Sequence, residues 1–248
     1  VSSFQLPSTD EKADYVQKQF DRIAKKYDLA NNLISLGMHR LWKQRAIKEL
    51  TESLSSRDRN PYLLDVCTGT GDLALSLAEK FPGGCQITGL DFSGEMLAVA
   101  EQRSAHAPSA VRSCLNWKQG DAQSLPFADN SFDGAIISFG LRNLTDLQKG
   151  LNEMSRVVKP GGRVVNLDLG QPTMPVFTPF FLFFFDNIVP LIGELIQQDR
   201  QAYTYLPESR KAYPNPQKLS SMFQNAGLSD VRWISLACGS VALHVGTV

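Results

Sequence analysis

The sequence predicts an α/β fold: a doubly wound, mostly parallel seven-stranded sheet, preceded by an N-terminal helical cap and closed by an antiparallel C-terminal hairpin. Three features point there. LLDVCTGTGDL (63–73) is an apolar run ending in an acid, Asp65, followed by a tight small-residue turn that opens into a helix pattern. A buried parallel strand reads this way where it delivers its backbone to a nucleotide-like ligand. From residue 62 onward strand and helix patterns alternate, as they do when helices cover both faces of a parallel sheet. At the end, VRWISLA and VALHVGTV flank Cys238-Gly239-Ser240 and read as a hairpin.

In chain order, residues 1–9 read as an unstructured lead. Ser8 and Glu11 have capping-box spacing, and Val16, Phe20, Ile23 and Tyr27 follow at helical intervals. A second helical segment is expected over 30–52, with Leu33, Leu36, Leu41, Trp42 and Ile47 as its apolar face. These segments make a cap over 1–55. The main domain follows over 56–248, with a lid inserted at about 171–215. Strands are expected at 62–66, 86–91, 115–120, 133–138 and 162–168, and helices at 72–81, 94–103, 146–157 and 217–226.

Composition narrows the function classes. Hydrophobic content of 43% and charged content of 20% suit an ordinary globular protein. Lys+Arg (25) equals Asp+Glu (25), so the charge balance suggests no nucleic-acid partner. Cys67, Cys85, Cys114 and Cys238 form no CxxC pair, which reads as free thiols in a reducing compartment with no metal site. The chain begins at Val1 rather than methionine, which leaves room for an upstream segment. The most apolar stretch, around 176–192, contains Asp186, Asn187 and two prolines just after Pro175, and reads as too interrupted to span a bilayer.

Within the turn, Gly69 and Gly71 are expected to let the main chain approach a ligand with no Cβ in the way. Asp91 lies 20 residues after Gly71, at the end of the next apolar run. An acid at that spacing meets a ribose diol, so turn and acid together suggest an adenosine-containing cofactor. The alternative for Asp91 is a cap on the helix that follows it.

Three further segments carry a family resemblance. YDLANNLISLGMHRLW (27–42), GDAQSLPFADNSFDGAIISFGLRNLTD (120–146) and RVVKPGGRVVNLDL (156–169) resemble the signatures and central block of the UbiE/MenG-type C-methyltransferases of ubiquinone and menaquinone biosynthesis. The resemblance continues through 199–219 to VALHVG (241–246). Ala30 stands where the first signature usually has methionine, and Asp168 and Gly170 where the second usually has glutamate and serine. Cys67 occupies a position that is glycine in many methyltransferase turns.

The resemblance implies a Rossmann-like class I methyltransferase that uses S-adenosylmethionine to methylate a ring carbon of a prenylated quinol. The ring is a benzoquinol or a naphthoquinol. It places the cofactor on Thr70, Asp91, Asp121, Ala122 and Ser138, beside Asp65 and the turn glycines. Thr70 would face the methionine carboxylate, Asp91 the ribose, Asp121 and Ala122 the adenine, and Ser138 the sulfonium. Asp121 reads alternatively as a solvated loop acid and Ser138 as a plain strand serine. Arg142, Asp168 and Tyr27 are the catalytic candidates, with His39 and His244 behind them. Arg142 is a permanent cation and so would stabilise a quinolate or position a water rather than act as a base. Its alternative is an ion pair with a nearby acid such as Asp146. Asp168 has a purely structural alternative, and for His244 the structural reading is the stronger.

Six phenylalanines lie between Val176 and Phe185. They read either as core packing or as a greasy wall for an isoprenoid tail or a membrane. The run HRLWKQRAIK (39–48) holds no acid and could rest on anionic headgroups, or simply be a solvated helix face. A lipid-tailed quinol is thus the expected partner, with peripheral membrane contact and a homodimer compatible with the pattern. The expected location is the cytoplasm or the inner membrane face, or an organelle if a transit segment preceded Val1. Rival readings are a methyltransferase with an oxygen or nitrogen acceptor, an NAD-dependent oxidoreductase, since GTGDLA also fits GxGxxA, and a non-catalytic scaffold.

Overall fold

The computed structural model describes residues 9–52, 54, 60–197 and 200–248. Ser8, and with it the expected capping box, lies outside them, as does the expected boundary at 55/56. The cap consists of α1 (Thr9–Ile23), a 3₁₀ turn at Ala24–Lys26, α2 (Tyr27–Ile34) and α3 (His39–Thr51). The single helix expected over 30–52 is therefore two. Leu36 (φ 50°) and Gly37 (φ 76°) adopt left-handed conformations that no helix can continue through. The expected apolar face also fails. Ile47 is buried, but Leu33, Leu36 and Leu41 are exposed.

Beyond the cap run β1 (Tyr62–Val66), α4 (Asp72–Lys80), β2 (Gln86–Asp91), α5 (Gly94–Ala105), α6 (Ser109–Arg112), β3 (Leu115–Gln119) and β4 (Phe132–Ser138). After a 3₁₀ turn at Leu141–Asn143 come α7 (Leu147–Val157) and β5 (Val158–Leu169). The lid follows as α8 (Phe177–Phe183), a π turn (Phe184–Ile188), α9 (Val189–Gln197) and α10 (Arg200–Ala212). The chain finishes with α11 (Pro216–Asn225), β6 (Ser229–Leu236), a 3₁₀ turn at Ala237–Gly239 and β7 (Val241–Thr247). The seven strands form one sheet in the order β3-β2-β1-β4-β5-β7-β6. All neighbours are parallel except β7, which runs antiparallel to both β5 and β6.

Consecutive residues of β1 serve opposite faces of the sheet, which is why its sequence is apolar apart from Asp65. Leu63 joins Ala46 and Leu50 of α3, Leu77 of α4 and Ile136. Leu64 joins Ile137, Leu151 of α7 and Phe223 of α11. Each such buried leucine is worth about 1.5–3 kcal/mol. The cap is thus partly core, since α3 packs directly on the sheet. Helix starts are fixed by side chains that accept from the first-turn amides: Ser93 for α5, Asp146 for α7 and Asn215 for α11.

A third apolar cluster ties the cap to the lid through Ile23, Ala24, Ala30, Met96, Phe185 and Val189. Helical backbone runs through the lid despite Asp186, Asn187 and the prolines. Pro179 sits in the first turn of α8, where its missing N–H costs nothing. The π turn falls just ahead of Pro190, where a regular hydrogen bond could not form. Residues Phe177–Glu194 are consequently long and apolar enough to cross a membrane by length and composition, contrary to the expectation of an interrupted stretch. In the fold they lie over the mouth of the site.

Candidate active site

The carboxyl ends of β1, β2 and β4 converge on two cavities that share one wall. The smaller, about 260 Å³, runs from Phe20 and Asp91 past Asp121 and Ala122 to Asn143. The larger, about 350 Å³, is roofed by the lid phenylalanines and floored by Thr70 and Asp72. Tyr27, Cys67, Gly69, Ser138 and Phe139 line both cavities, so a group transferred from one ligand to the other would cross there.

The turn after β1 is shaped for close approach. Cys67 (φ 54°) and Gly69 (φ 57°) are left-handed, which explains why glycine is common at the Cys67 position. A Cβ on Gly69 would meet nothing within 4 Å, leaving its backbone open to the cleft. Gly71 serves a different purpose from the one expected. A Cβ there would lie 2.6 Å from Trp117 Cη2, so Gly71 is required by packing against β3 and lines neither cavity. Asp65 is likewise withdrawn from the cleft. It is buried and accepts from the Thr68 hydroxyl at 2.5 Å, bracing the turn from behind. Burial pushes its carboxyl up to about 7.

Asp91 lines the smaller cavity. Its Oδ2 accepts from the Gly69 amide (2.8 Å) and its Oδ1 from the Ser93 amide (3.0 Å). The helix cap itself is Ser93, so the capping role considered for Asp91 belongs to its neighbour. Burial pushes Asp91 up to about 6, against the stabilising pull of those amides. Asp121 is exposed at the rim and accepts from the Gln123 amide, while Ala122 is buried in the wall. Ser138 Oγ and Asn143 Oδ1 are buried in this same cleft with no hydrogen-bond partner among the described residues. Two orphaned polar atoms beside an open glycine turn and a buried carboxylate fit a polar, ribose-bearing ligand.

Thr70 is placed otherwise than expected. Its hydroxyl donates to Asp28 Oδ1 (2.7 Å) and accepts from Arg103. Arg103 in turn reaches Asp28 and Asp72, and Lys43 closes the cluster on Asp72. Burial opposes the Asp72 charge, but Lys43 and Arg103 together hold its carboxyl well below the usual range. Asp28 and Arg103 thus hold Thr70 at the end of the turn, and neither lines either cavity. Neither was anticipated, although Asp28 lies inside the YDLANN segment. The basic run of α3 is largely neutralised locally, Lys43 by Asp72 and Arg45 by Glu49.

Arg142 and Asp168 come together as a buried pair, Nη1 to Oδ1 at 2.5 Å, and the Arg142 amide also donates to Asp168 Oδ2. The partner is therefore Asp168 rather than Asp146, which caps α7. Burial works against the Arg142 cation, yet Asp168 holds its pKa above the ordinary value. Arg142 and Tyr27 line the larger cavity, as do His39 and Trp42. His39 Nδ1 lies 2.7 Å from Ser35 Oγ, and burial lowers its pKa. His244 is away from both cavities, bonded through Nε2 to the Pro216 carbonyl and pushed down to about 4 by burial. The Cys67 thiol, raised by burial and surrounding carboxylates, stays protonated at the shared wall.

A family model described as the ubiE/COQ5 methyltransferase family matches residues 8–248. The chain belongs to the ubiE/COQ5 methyltransferase family. Its relatives include the demethylmenaquinone methyltransferase of Desulfitobacterium hafniense, 44% identical over 96% of this chain and 92% of that protein. That of Lactiplantibacillus plantarum is 41% identical over 94% of this chain and 95% of its own length. Among solved structures, a SAM-dependent methyltransferase from Thermotoga maritima superimposes with a TM-score of 0.62 at 17% identity, over 93% of this chain and 98% of the other. A phosphoethanolamine N-methyltransferase from Haemonchus contortus in complex with S-adenosyl-L-methionine gives 0.59 at 16% identity, over 82% and 52%.

As a member of the ubiE/COQ5 family the chain is an S-adenosylmethionine-dependent C-methyltransferase of quinone biosynthesis. The smaller cavity, with Asp91 and the orphaned Ser138 and Asn143 atoms, suits that cofactor. Family membership and the terminal hairpin remove the NAD-dependent reading and the non-catalytic scaffold.

Proposed function

We propose that the acceptor is a naphthoquinol carrying an isoprenoid tail, methylated at a ring carbon in the larger cavity. The observation that carries this reading is the shared wall. An apolar chamber roofed by Phe177, Phe181, Phe184 and Phe185 meets the ribose-ready cleft at Tyr27, Cys67, Ser138 and Phe139. The naphthoquinol head follows from the relatives' names, which specify demethylmenaquinone.

S-adenosylmethionine would be held by Asp91 and Ala122, with Asp121 at the rim, and would supply an electrophilic methyl. Arg142 faces the quinol and stabilises the oxygen anion that pushes electron density onto the adjacent ring carbon. Asp168 fixes the guanidinium in that pose, and Tyr27 closes the chamber over the ring. Alignment and exclusion of water supply most of the gain, on the order of 7–11 kcal/mol in well-oriented cases.

The tail leaves through the lid. Val176, Phe180 and Phe183 are more than half exposed, as are Leu36 and Leu41 of the cap. Leu36 and Phe180 line the mouth of the chamber, so this apolar rim is read as the face that meets the bilayer in which such quinols dissolve. A cytoplasmic protein resting peripherally on the membrane fits that rim, and it makes these side chains membrane-facing rather than dimer contacts. The test is mass spectrometry of lipid quinones from cells lacking the protein. A naphthoquinone short of one methyl supports the reading, and a benzoquinone defect or none refutes it. NMR mapping of the product separates carbon from oxygen or nitrogen methylation.

A further inference from the structure

Behind Arg142, which also lines the larger cavity, lies a third cavity of about 100 Å³. Lys12 of α1, Arg142, and Tyr205 and Tyr213 around α10 line it. It exceeds the ~10–15 Å³ needed to hold a water. Two buried polar atoms on its wall, Arg142 Nε and Tyr205 Oη, have no hydrogen-bond partner among the described residues, which is the signature of water in such a space. Lys12 Nζ donates to the Leu144 carbonyl (2.6 Å) and the Arg142 carbonyl (3.2 Å). Two carbonyls satisfy both N–H bonds of a neutral amine and leave its lone pair free.

We propose that this cavity is the exit for the ring proton, with Lys12 as the terminal acceptor through water held by Arg142 and Tyr205. The inference rests on the reading of Arg142 as the residue that faces the quinol. Once the quinolate carbon has bonded to the methyl group, which would leave the sulfonium as a thioether, the ring is a neutral dienone whose methylated carbon still carries its hydrogen. The carbon–hydrogen bond breaks and its electron pair returns to the ring. The proton passes to the cavity water, which gives a proton to the Lys12 amine, leaving water and an ammonium. Lys12 returns the proton to solvent from the surface helix α1. Burial and the Arg142 cation both lower the Lys12 pKa, the direction that favours the neutral amine. The charged and titratable groups that share its cavity are Arg142, Tyr205 and Tyr213, with Asp168 behind Arg142.

Two measurements test this. In the cofactor-free protein, NMR titration of ¹³C-labelled lysine should place Lys12 below the surface lysines, and Tyr205→Phe should shift it. In single-turnover methylation of a ring-deuterated quinol, wild type should show no primary isotope effect. Lys12→Met and Tyr205→Phe should slow turnover, Lys12→Met by about 10²-fold or more, and reveal a primary effect because proton loss has become limiting. Cofactor affinity should be unchanged. A Lys12 that titrates with the surface lysines, or variants slowed with no isotope effect, would make Lys12 only a clamp on the 141–144 turn. If Arg142→Ala itself leaves turnover intact, the reading of the quinol site fails first.

Discussion

Arg142 and Asp168 bury a full ion pair, 7% and 1% exposed, at the boundary between the larger cavity and the third one behind it. The pair spans the turn after β4 and the end of β5, adjacent parallel strands. Two strand ends thereby fix the direction of a single cation, which a loop could not do.

Removing one partner exposes the cost of that arrangement. Asp168→Ala should destabilise the chain by about 3–5 kcal/mol, because it leaves a buried guanidinium unpaired. Denaturant unfolding measures this, and a loss under 1 kcal/mol would mean that water replaces the carboxylate. Arg142→Ala should lower single-turnover methylation far more than cofactor affinity. Arg142→Lys should rescue little, since an ammonium cannot reproduce the fork. Equal losses in binding and turnover would make Arg142 a structural partner only.

Asp91→Ala should weaken S-adenosylmethionine and S-adenosylhomocysteine alike, by about 1.5–3 kcal/mol or roughly 10- to 150-fold. In wild type the affinity should also depend on pH. A protonated Asp91 cannot accept from both ribose hydroxyls, and its pKa in the free protein is about 6. Ligand binding should therefore weaken by up to about tenfold per pH unit below that point and level off above it. A calorimetric titration that is flat between pH 5 and 7 would remove Asp91 from the ribose.

Asp65 should be a stability cost in the cofactor-free protein. Its folded pKa, about 7, is raised above the ordinary 3.8. Below 3.8 both states are protonated and there is no penalty. Between 3.8 and 7 the folded state holds the proton more tightly than the unfolded one, so stability falls as pH rises. Asp65→Asn still accepts from Thr68. Its stability relative to wild type should therefore climb from about pH 4 to 7 and then level off. An advantage independent of pH would show that the carboxyl is neutralised in another way.

The lid should divide by exposure. Phe180→Ser/Phe183→Ser changes two exposed side chains, so melting temperature and cofactor affinity should hold. Activity on a long-tailed quinol in vesicles should drop, while activity on a short-tailed soluble one should not. Phe181→Ser/Phe185→Ser cuts into the cluster that joins lid to cap and should lower the melting temperature. If the outer pair lowers it equally, the phenylalanines are core and carry no information about the tail.

The local parts of this protein are legible in its residues. β1 and β2 lie where their apolar runs predict, because a strand buried on both faces must be mostly apolar and a turn must end it. The Gly69 turn and the Asp91 spacing follow from the same local geometry. The break at Leu36-Gly37 escaped because apolar spacing runs on across it, although Gly37 is the helix-stop signal that marks it.

Tertiary structure alone decided who meets whom. Asp146 is nearest to Arg142 in sequence, yet Asp168, 26 residues away, takes the guanidinium because β4 and β5 are neighbours in the sheet. Asp28 reaches Thr70 across 42 residues, and Lys12 reaches the Arg142 carbonyl across 130. Gly71 looks like a cofactor glycine until Trp117 arrives from β3. Local patterning follows from steric and solvent preferences that each residue carries with it. The pairing of buried charges depends on which elements pack together, and that is a property of the assembled sheet, cap and lid.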